Sequence, residues 1–138
     1  MGMTAQEARR RLAGFPFGDD GVLALILFGS TARNEERDGS DVDIACLLEE
    51  PFDPSVKLDL IVKMEKTLGT QDVDVVVLNG LAEHQPLLAI RILAEGEVLL
   101  DRSPAERLAL HRRALRMAED ARHLLRIADQ ARRSALDG

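Results

Sequence analysis

The apolar positions of this chain change period several times, and each change marks an element. Val22-Leu23-Ala24-Leu25-Ile26-Leu27-Phe28 is an unbroken apolar run bounded by glycines. Its length and lack of polar positions predict a strand buried on both faces. Asp41 to Leu48 and the Val-rich stretch Asp72 to Leu78 read as second and third strands, and Glu97 to Leu100 as a short fourth. Between strands two and three, Val56, Leu60, Ile61, Met64 and Leu68 fall at helical spacing and stop at Gly69. Asp53 is placed to cap that helix, with Pro54 at its first position. A helix is expected from Leu81 to Ala94, closed by Gly96. Another, short, opens at the capping-box spacing Thr4-Ala5-Gln6-Glu7 and ends near Gly14. Thr31 to Glu36 can form a helical turn before the polar loop Arg37-Asp38-Gly39-Ser40. The alternation predicts an α/β (α+β) body over residues 1–101, with a small mixed central sheet flanked by helices.

Residues 102–138 follow a different rule. Ser103-Pro104-Ala105-Glu106 is a second capping box with Pro at the first helical position, and no Gly or Pro follows until Gly138. Leu110, Ala114, Met117, Ala121, Leu124, Ala128, Ala131 and Ala135 recur at alternating four- and three-residue steps, an unbroken heptad seam. Leu108, Leu115, Ala118 and Leu125 widen it. A continuous helix from Pro104 to Ala135 would reach about 48 Å, against a radius of gyration of ~14 Å for a compact domain of this length. Either this C-terminal helical segment breaks and folds back on the body, or part of it packs on another chain.

Composition narrows the functional classes. The 138 residues are 46% hydrophobic and 30% charged, with a net charge of −6, so disorder is excluded and a backbone-gripping nucleic-acid binder is disfavoured. Four Phe, no Trp and no Tyr leave little for base stacking. Residues 1–100 carry 18 acids against 9 bases, whereas residues 101–138 carry 9 arginines against 6 acids: an acidic body and a basic tail. The single Cys46 rules out an internal disulfide or a Cys-cluster zinc site and is expected in the core. His84, His111 and His123 have no metal-ligand spacing, and Arg9-Arg10-Arg11 reads as a solvated face. With no signal-peptide core and no apolar run long enough to span a bilayer, a cytoplasmic location is expected.

Candidate chemistry gathers at one end of the sheet. Gly29-Ser30 directly follows the first strand, where glycine permits close backbone approach and a serine beside free N–H groups can cradle phosphate. Asp41 and Asp43 are two apart at the start of a strand and so share a face. Adjacent carboxylates repel by a few kcal/mol at an effective dielectric of about 20. Hard oxygen donors of this kind suit Mg²⁺, or Mn²⁺, with substrate phosphate as further ligand. Asp74 lies inside a valine run, where a buried carboxylate needs a cation. If its strand neighbours the second, it can join Asp41 and Asp43 around a pair of metals. Asp72, on the same strand face, is the rival for this place. Arg33 is either a phosphate contact or a salt-bridge partner of Glu35 or Glu36.

Gly29-Ser30, ten residues, then Asp41-Val42-Asp43 resembles the GSx₁₀DxD signature of the DNA polymerase β-like nucleotidyltransferase superfamily. Val73-Asp74-Val75 is similar to its third-carboxylate segment. Within it, the chain resembles the MntA-type minimal nucleotidyltransferases, through Gly29-Ser30-Thr31-Ala32-Arg33, Ser40-Asp41-Val42-Asp43-Ile44, Leu78-Asn79 and Ile92-Leu93-Ala94-Glu95-Gly96, over residues ~20–100. Asn34 departs from the Gly that commonly follows the Arg. The resemblance implies the nucleotidyltransferase fold and ATP as substrate. It implies that Gly29 and Ser30 hold the triphosphate, and that Asp41, Asp43 and Asp74 bind two Mg²⁺ ions. It further implies an antitoxin that transfers AMP to a tyrosine of a HepT-type toxin partner. Nucleotidyl transfer to a small molecule and neutralisation by binding alone are the competing readings. The tail helix would then serve hetero- or homo-oligomerisation.

Overall fold

A computed structural model of the chain describes residues 4–13, 21–29 and 42–137. In chain order the described elements are α1 (Ala5–Leu12), β1 (Val22–Phe28), β2 (Val42–Leu48), α2 (Ser55–Leu68), β3 (Val73–Val77), α3 (Leu81–His84), α4 (Pro86–Glu95), β4 (Glu97–Asp101) and α5 (Pro104–Asp137). The expected helical turn at Thr31–Glu36 and the loop after it lie outside the described residues.

The strands form one mixed sheet in the order β3-β2-β1-β4. β1 pairs antiparallel with both β2 and β4, while β2 and β3 run parallel through the crossover helix α2. The two central strands carry the continuous apolar runs, because both of their faces are covered. On one face Leu25, Leu27, Ile44, Cys46 and Leu48 meet Ala8 and Leu12 of α1 and Leu60, Met64 and Leu68 of α2. On the other, Ala24, Ile26, Ala45, Leu47 and Leu78 meet Ala82, Ala89, Ile92, Leu110 and Ala114 from the three remaining helices. Burial of each large aliphatic side chain here contributes about 1.5–3 kcal/mol.

The caps follow from local chemistry. Thr4 Oγ1 accepts the Glu7 amide at 3.0 Å. Asp53 Oδ1 accepts the Ser55 amide at 2.9 Å, and Pro54 already has helical torsions, so the capping role expected of Asp53 is filled. That hydrogen bond holds the Asp53 carboxyl below its ordinary pKa. Gly69 ends α2 in the left-handed region (φ 71°), and the Arg11 guanidinium donates to the Leu68 carbonyl, tying α1 to the C-terminus of α2.

One expectation is corrected, and one alternative left open is narrowed. The helix expected over Leu81–Ala94 is two helices, broken at Gln85 (φ −141°, ψ 71°), because the ring of Pro86 disfavours helical torsions in the residue before it. The tail neither breaks nor folds back: α5 is one helix of 34 residues, about 51 Å long. Only its first turns enter the core. Leu110 and Ala114 are buried, the Arg107 guanidinium meets Asp101 at 2.9 Å, and Arg113 meets Glu83 of α3 at 3.0 Å.

Candidate active site

The sheet register sets two carboxylates side by side. Asp43 lies one residue into β2 and Asp74 one residue into β3, and the parallel ladder pairs them directly. Paired residues of adjacent strands share a face about 5 Å apart. That face is the one covered by α3, α4 and α5, but those helices pack over Ala45, Leu47, Val76 and Leu78, further along the strands. Asp43 is half-buried and Asp74 exposed, at the end of the face beyond the helices. The adjacency that would bring the second and third strands' carboxylates together is therefore met.

The environment of Asp74 differs from the expectation. A valine run suggests a buried strand, yet β3 is an edge strand, and Asp74 projects on the exposed side while Val75 turns into the opposite core. Its charge needs no partner to be tolerated; its interest lies in its alignment. Asp72 precedes the strand, and its carbonyl accepts the Val42 amide at 2.7 Å, which extends the ladder by one bond. Its side chain lies two residues further out than Asp74, so Asp74 faces Asp43 and Asp72 does not.

Gly29 meets the same carboxylate from β1. Phe28 pairs with Asp43 across the antiparallel ladder, and Gly29 follows in the left-handed region (φ 75°). A Cβ on Gly29 would overlap a carboxylate oxygen of Asp43, standing 3.0 Å from its Cγ and 3.2 Å from its Cβ. Only glycine satisfies both the torsion and the space. Ser30, Arg33 and Asp41, the other sequence-derived site residues, lie outside the described residues. Among the described residues no group of three His, Cys, Asp or Glu side chains is placed to hold a metal. Asp43 and Asp74 make a two-carboxylate edge to which one more oxygen donor could be added.

One contributor was not assigned a role from sequence. Asn79, just past β3, accepts the Leu48 amide at 2.9 Å and donates back to the Leu48 carbonyl at 2.8 Å. Its side chain acts as one more rung between β2 and β3, at the far end from the aspartates. The signal was an Asn directly after an apolar strand, a residue type that often bonds to backbone.

Other candidates resolve into structure. The Cys46 thiol is fully buried, and burial pushes its pKa up to about 12, so it is inert. Arg9 pairs with Glu97 at 2.6 Å, and Arg10 and Arg11 both pair with Glu7. No helix among the described residues is long and apolar enough to cross a membrane.

The polymerase beta nucleotidyltransferase family matches residues 17–105, a span that includes Gly29, Asp43 and Asp74. The chain belongs to this family. This nucleotidyltransferase is 41% identical over 79 residues to MJ0435 of Methanocaldococcus jannaschii, provisionally named a protein adenylyltransferase. The match covers 55% of this chain and 77% of that protein. Among solved structures, it resembles a chain of a toxin–antitoxin complex with AMP-PNP (20% identity, TM-score 0.64, covering 99% of this chain and all of that one). It also resembles a chain of the complex of tri-AMPylated Shewanella oneidensis HEPN toxin with MNT antitoxin (20% identity, TM-score 0.62, 98% and 100% covered). At that identity the likeness concerns the fold. It extends over nearly the whole nucleotidyltransferase, the long α5 included.

Proposed function

We propose that the chain is a metal-dependent protein adenylyltransferase that transfers AMP from ATP to a tyrosine of a HepT-type toxin, and so acts as its antitoxin. The observation that carries this reading is the in-register pair Asp43–Asp74 with Gly29 packed against the Asp43 carboxylate. Support for the acceptor class comes from MJ0435 and from the toxin–antitoxin complexes of like fold.

Two aligned carboxylates at an exposed strand end are the hard donor set that Mg²⁺ favours, so the residues fit the ion. Asp43 and Asp74 would hold it, with Asp41 as the third donor. When bound, it supplies charge neutralisation for the triphosphate and the leaving pyrophosphate. The chain's own groups do the rest. Gly29 leaves room for the Asp43 carboxylate beside β1, and Gly29 with Ser30 would hold the triphosphate. Arg33 is the candidate cationic contact to phosphate. Asp74, exposed beside Asp43, would take the proton of an arriving tyrosine hydroxyl. The tyrosine oxygen attacks the α-phosphorus, the α–β bridging bond breaks, and pyrophosphate leaves. The chain has no Tyr, so the acceptor belongs to another molecule.

The test is incubation with ATP, Mg²⁺ and the HepT-type toxin, read by intact mass for added AMP. Wild type should label the toxin, and Asp43→Asn should abolish labelling while toxin binding persists. Neutralisation of the toxin with no added AMP would leave binding alone as the function. Labelling of a small molecule instead would place the chain with the small-molecule transferases.

A further inference from the structure

One row of side chains crosses the sheet at the site. Phe28 of β1 stands opposite Asp43 of β2, and Asp43 stands beside Asp74 of β3. Paired residues share a face, with Cβ atoms about 4.5–5.5 Å apart. Asp43 therefore has a carboxylate on one side and an aromatic side chain on the other. Phe28 is half-buried and packs against the apolar cluster under α3, α4 and α5, which anchors its ring on that face. Phe52 packs on the opposite core, so among the described residues Phe28 is the one aromatic on the face of the aspartates.

The direction of the Asp43 carboxylate needs a physical cause. One of its oxygens fills the space that a Cβ on Gly29 would take, so the group leans toward the residue just past the end of β1. Gly29 makes this room but, having no side chain, cannot hold the group in it. Repulsion from Asp74 pushes the carboxylate the same way, because like charges on neighbouring strands separate where they can. Neither effect bars it from turning inward over β1. Phe28 occupies the surface of β1 immediately before Gly29.

We infer that Phe28 is a positioning residue for this site: its ring walls the inner side of the Asp43 carboxylate and keeps it over Gly29, at the exposed end of the row. Gly29 provides the room, Asp74 the push and Phe28 the stop. A bulky apolar group suits the task. It excludes the carboxylate sterically and offers it no hydrogen bond that would compete with a metal ion. Phe28 acts only through Asp43. This role rests on the reading of Asp43 as a metal-holding carboxylate in adenylyl transfer.

The experiment compares Phe28→Ala and Phe28→Leu with wild type in two measurements. In steady-state labelling of the toxin with ATP and Mg²⁺, Phe28→Ala should lower kcat about 10-fold or more, with KM for ATP little changed. Phe28→Leu keeps apolar bulk beside Asp43 and should recover most of the rate. A raised KM with kcat unchanged would make Phe28 a surface for the nucleotide and overturn the proposal. The second measurement is denaturant unfolding of the metal-free chain with Phe28→Ala, Asp43→Asn and both together. Once the ring is gone, Asp43 is free to turn away from Asp74, so replacing its charge should change stability less than it does in wild type. Additive effects, or a folded Phe28→Leu as slow as Phe28→Ala, would reduce Phe28 to a core residue. If Phe28→Ala does not fold, Phe28→Val, shortened but suited to a strand, replaces it in every comparison. If wild type adds no AMP to the toxin, the adenylylation reading falls, while the unfolding cycle still decides whether Phe28 restrains Asp43.

Discussion

The two ends of β2 are built for opposite purposes. At its start, Asp43 stands beside Asp74 and is pressed by Gly29, so like charges are held side by side and the backbone is held in a conformation few residues adopt. At its end, Asn79 closes the ladder by bonding both polar groups of Leu48, and the helices bury the strand's side chains. One end sets two carboxylates side by side, and the other ties both polar groups of Leu48 into the fold. Strain and like-charge pairing concentrate where a ligand can relieve them, while stability is supplied from the far side of the same strand.

Substitutions at the two ends should separate these roles. The largest effect is expected from Gly29→Ala. Its methyl displaces the Asp43 carboxylate, and misplacement on the order of 1 Å costs ~100-fold in rate. Incorporation of labelled AMP would report this, and a variant that transfers normally would show that Asp43 need not sit where it does. Asn79→Ala should do the reverse. It leaves the Leu48 amide and carbonyl without their partner, at a cost of about 1–3 kcal/mol in denaturant unfolding, with transfer per folded molecule unchanged. If Asn79→Ala instead cut the rate as steeply as Gly29→Ala, the two ends would not be independent.

The smallest effect is expected at Glu83, whose pairing with Arg113 holds its carboxyl below the ordinary 4.5. A lowered folded-state pKa means the pair's contribution is present above that value and fades as pH falls through the folded pKa. Both side chains are well exposed, so Glu83→Gln should cost less than ~0.5 kcal/mol at neutral pH. Thermal melts of the two proteins should converge in acid. A difference that persists there would mean that Glu83 acts by packing.

Much of this was legible in the sequence, for identifiable reasons. The strands β1 to β4 announce themselves because apolar runs bounded by Gly or polar clusters have few other fates. Thr4, Asp53 and Gly69 mark helix ends because capping chemistry is local. What was not legible is tertiary. The valines flanking Asp74 suggested a buried carboxylate, but a strand's two faces alternate, and only the sheet order shows that this face of β3 lies at an edge. The Gln85 break was visible in Pro86 yet was overridden by the surrounding helical period. Whether α5 would fold back could not be read from its seam, because a heptad stripe specifies a partner surface without saying whose. The candidate site was half legible: Gly29, Asp43 and Asp74 were singled out by type and spacing and the sheet brings them together, whereas the steric contact of Gly29 with Asp43 and the clip at Asn79 needed three dimensions.

The strand order also bears on how the chain reaches its native state. β1 has one neighbour that follows it next in the sheet-forming sequence, β2, and another, β4, that pairs Ala24 with Asp101 near the opposite end of the body. The carboxylate pair needs only β2, α2 and β3, a unit closed by Asn79 and Leu48 over 31 residues. Contacts that close shorter loops form at lower entropic cost. Pairing Asp43 with Asp74 thus closes a shorter loop than docking β4 on β1.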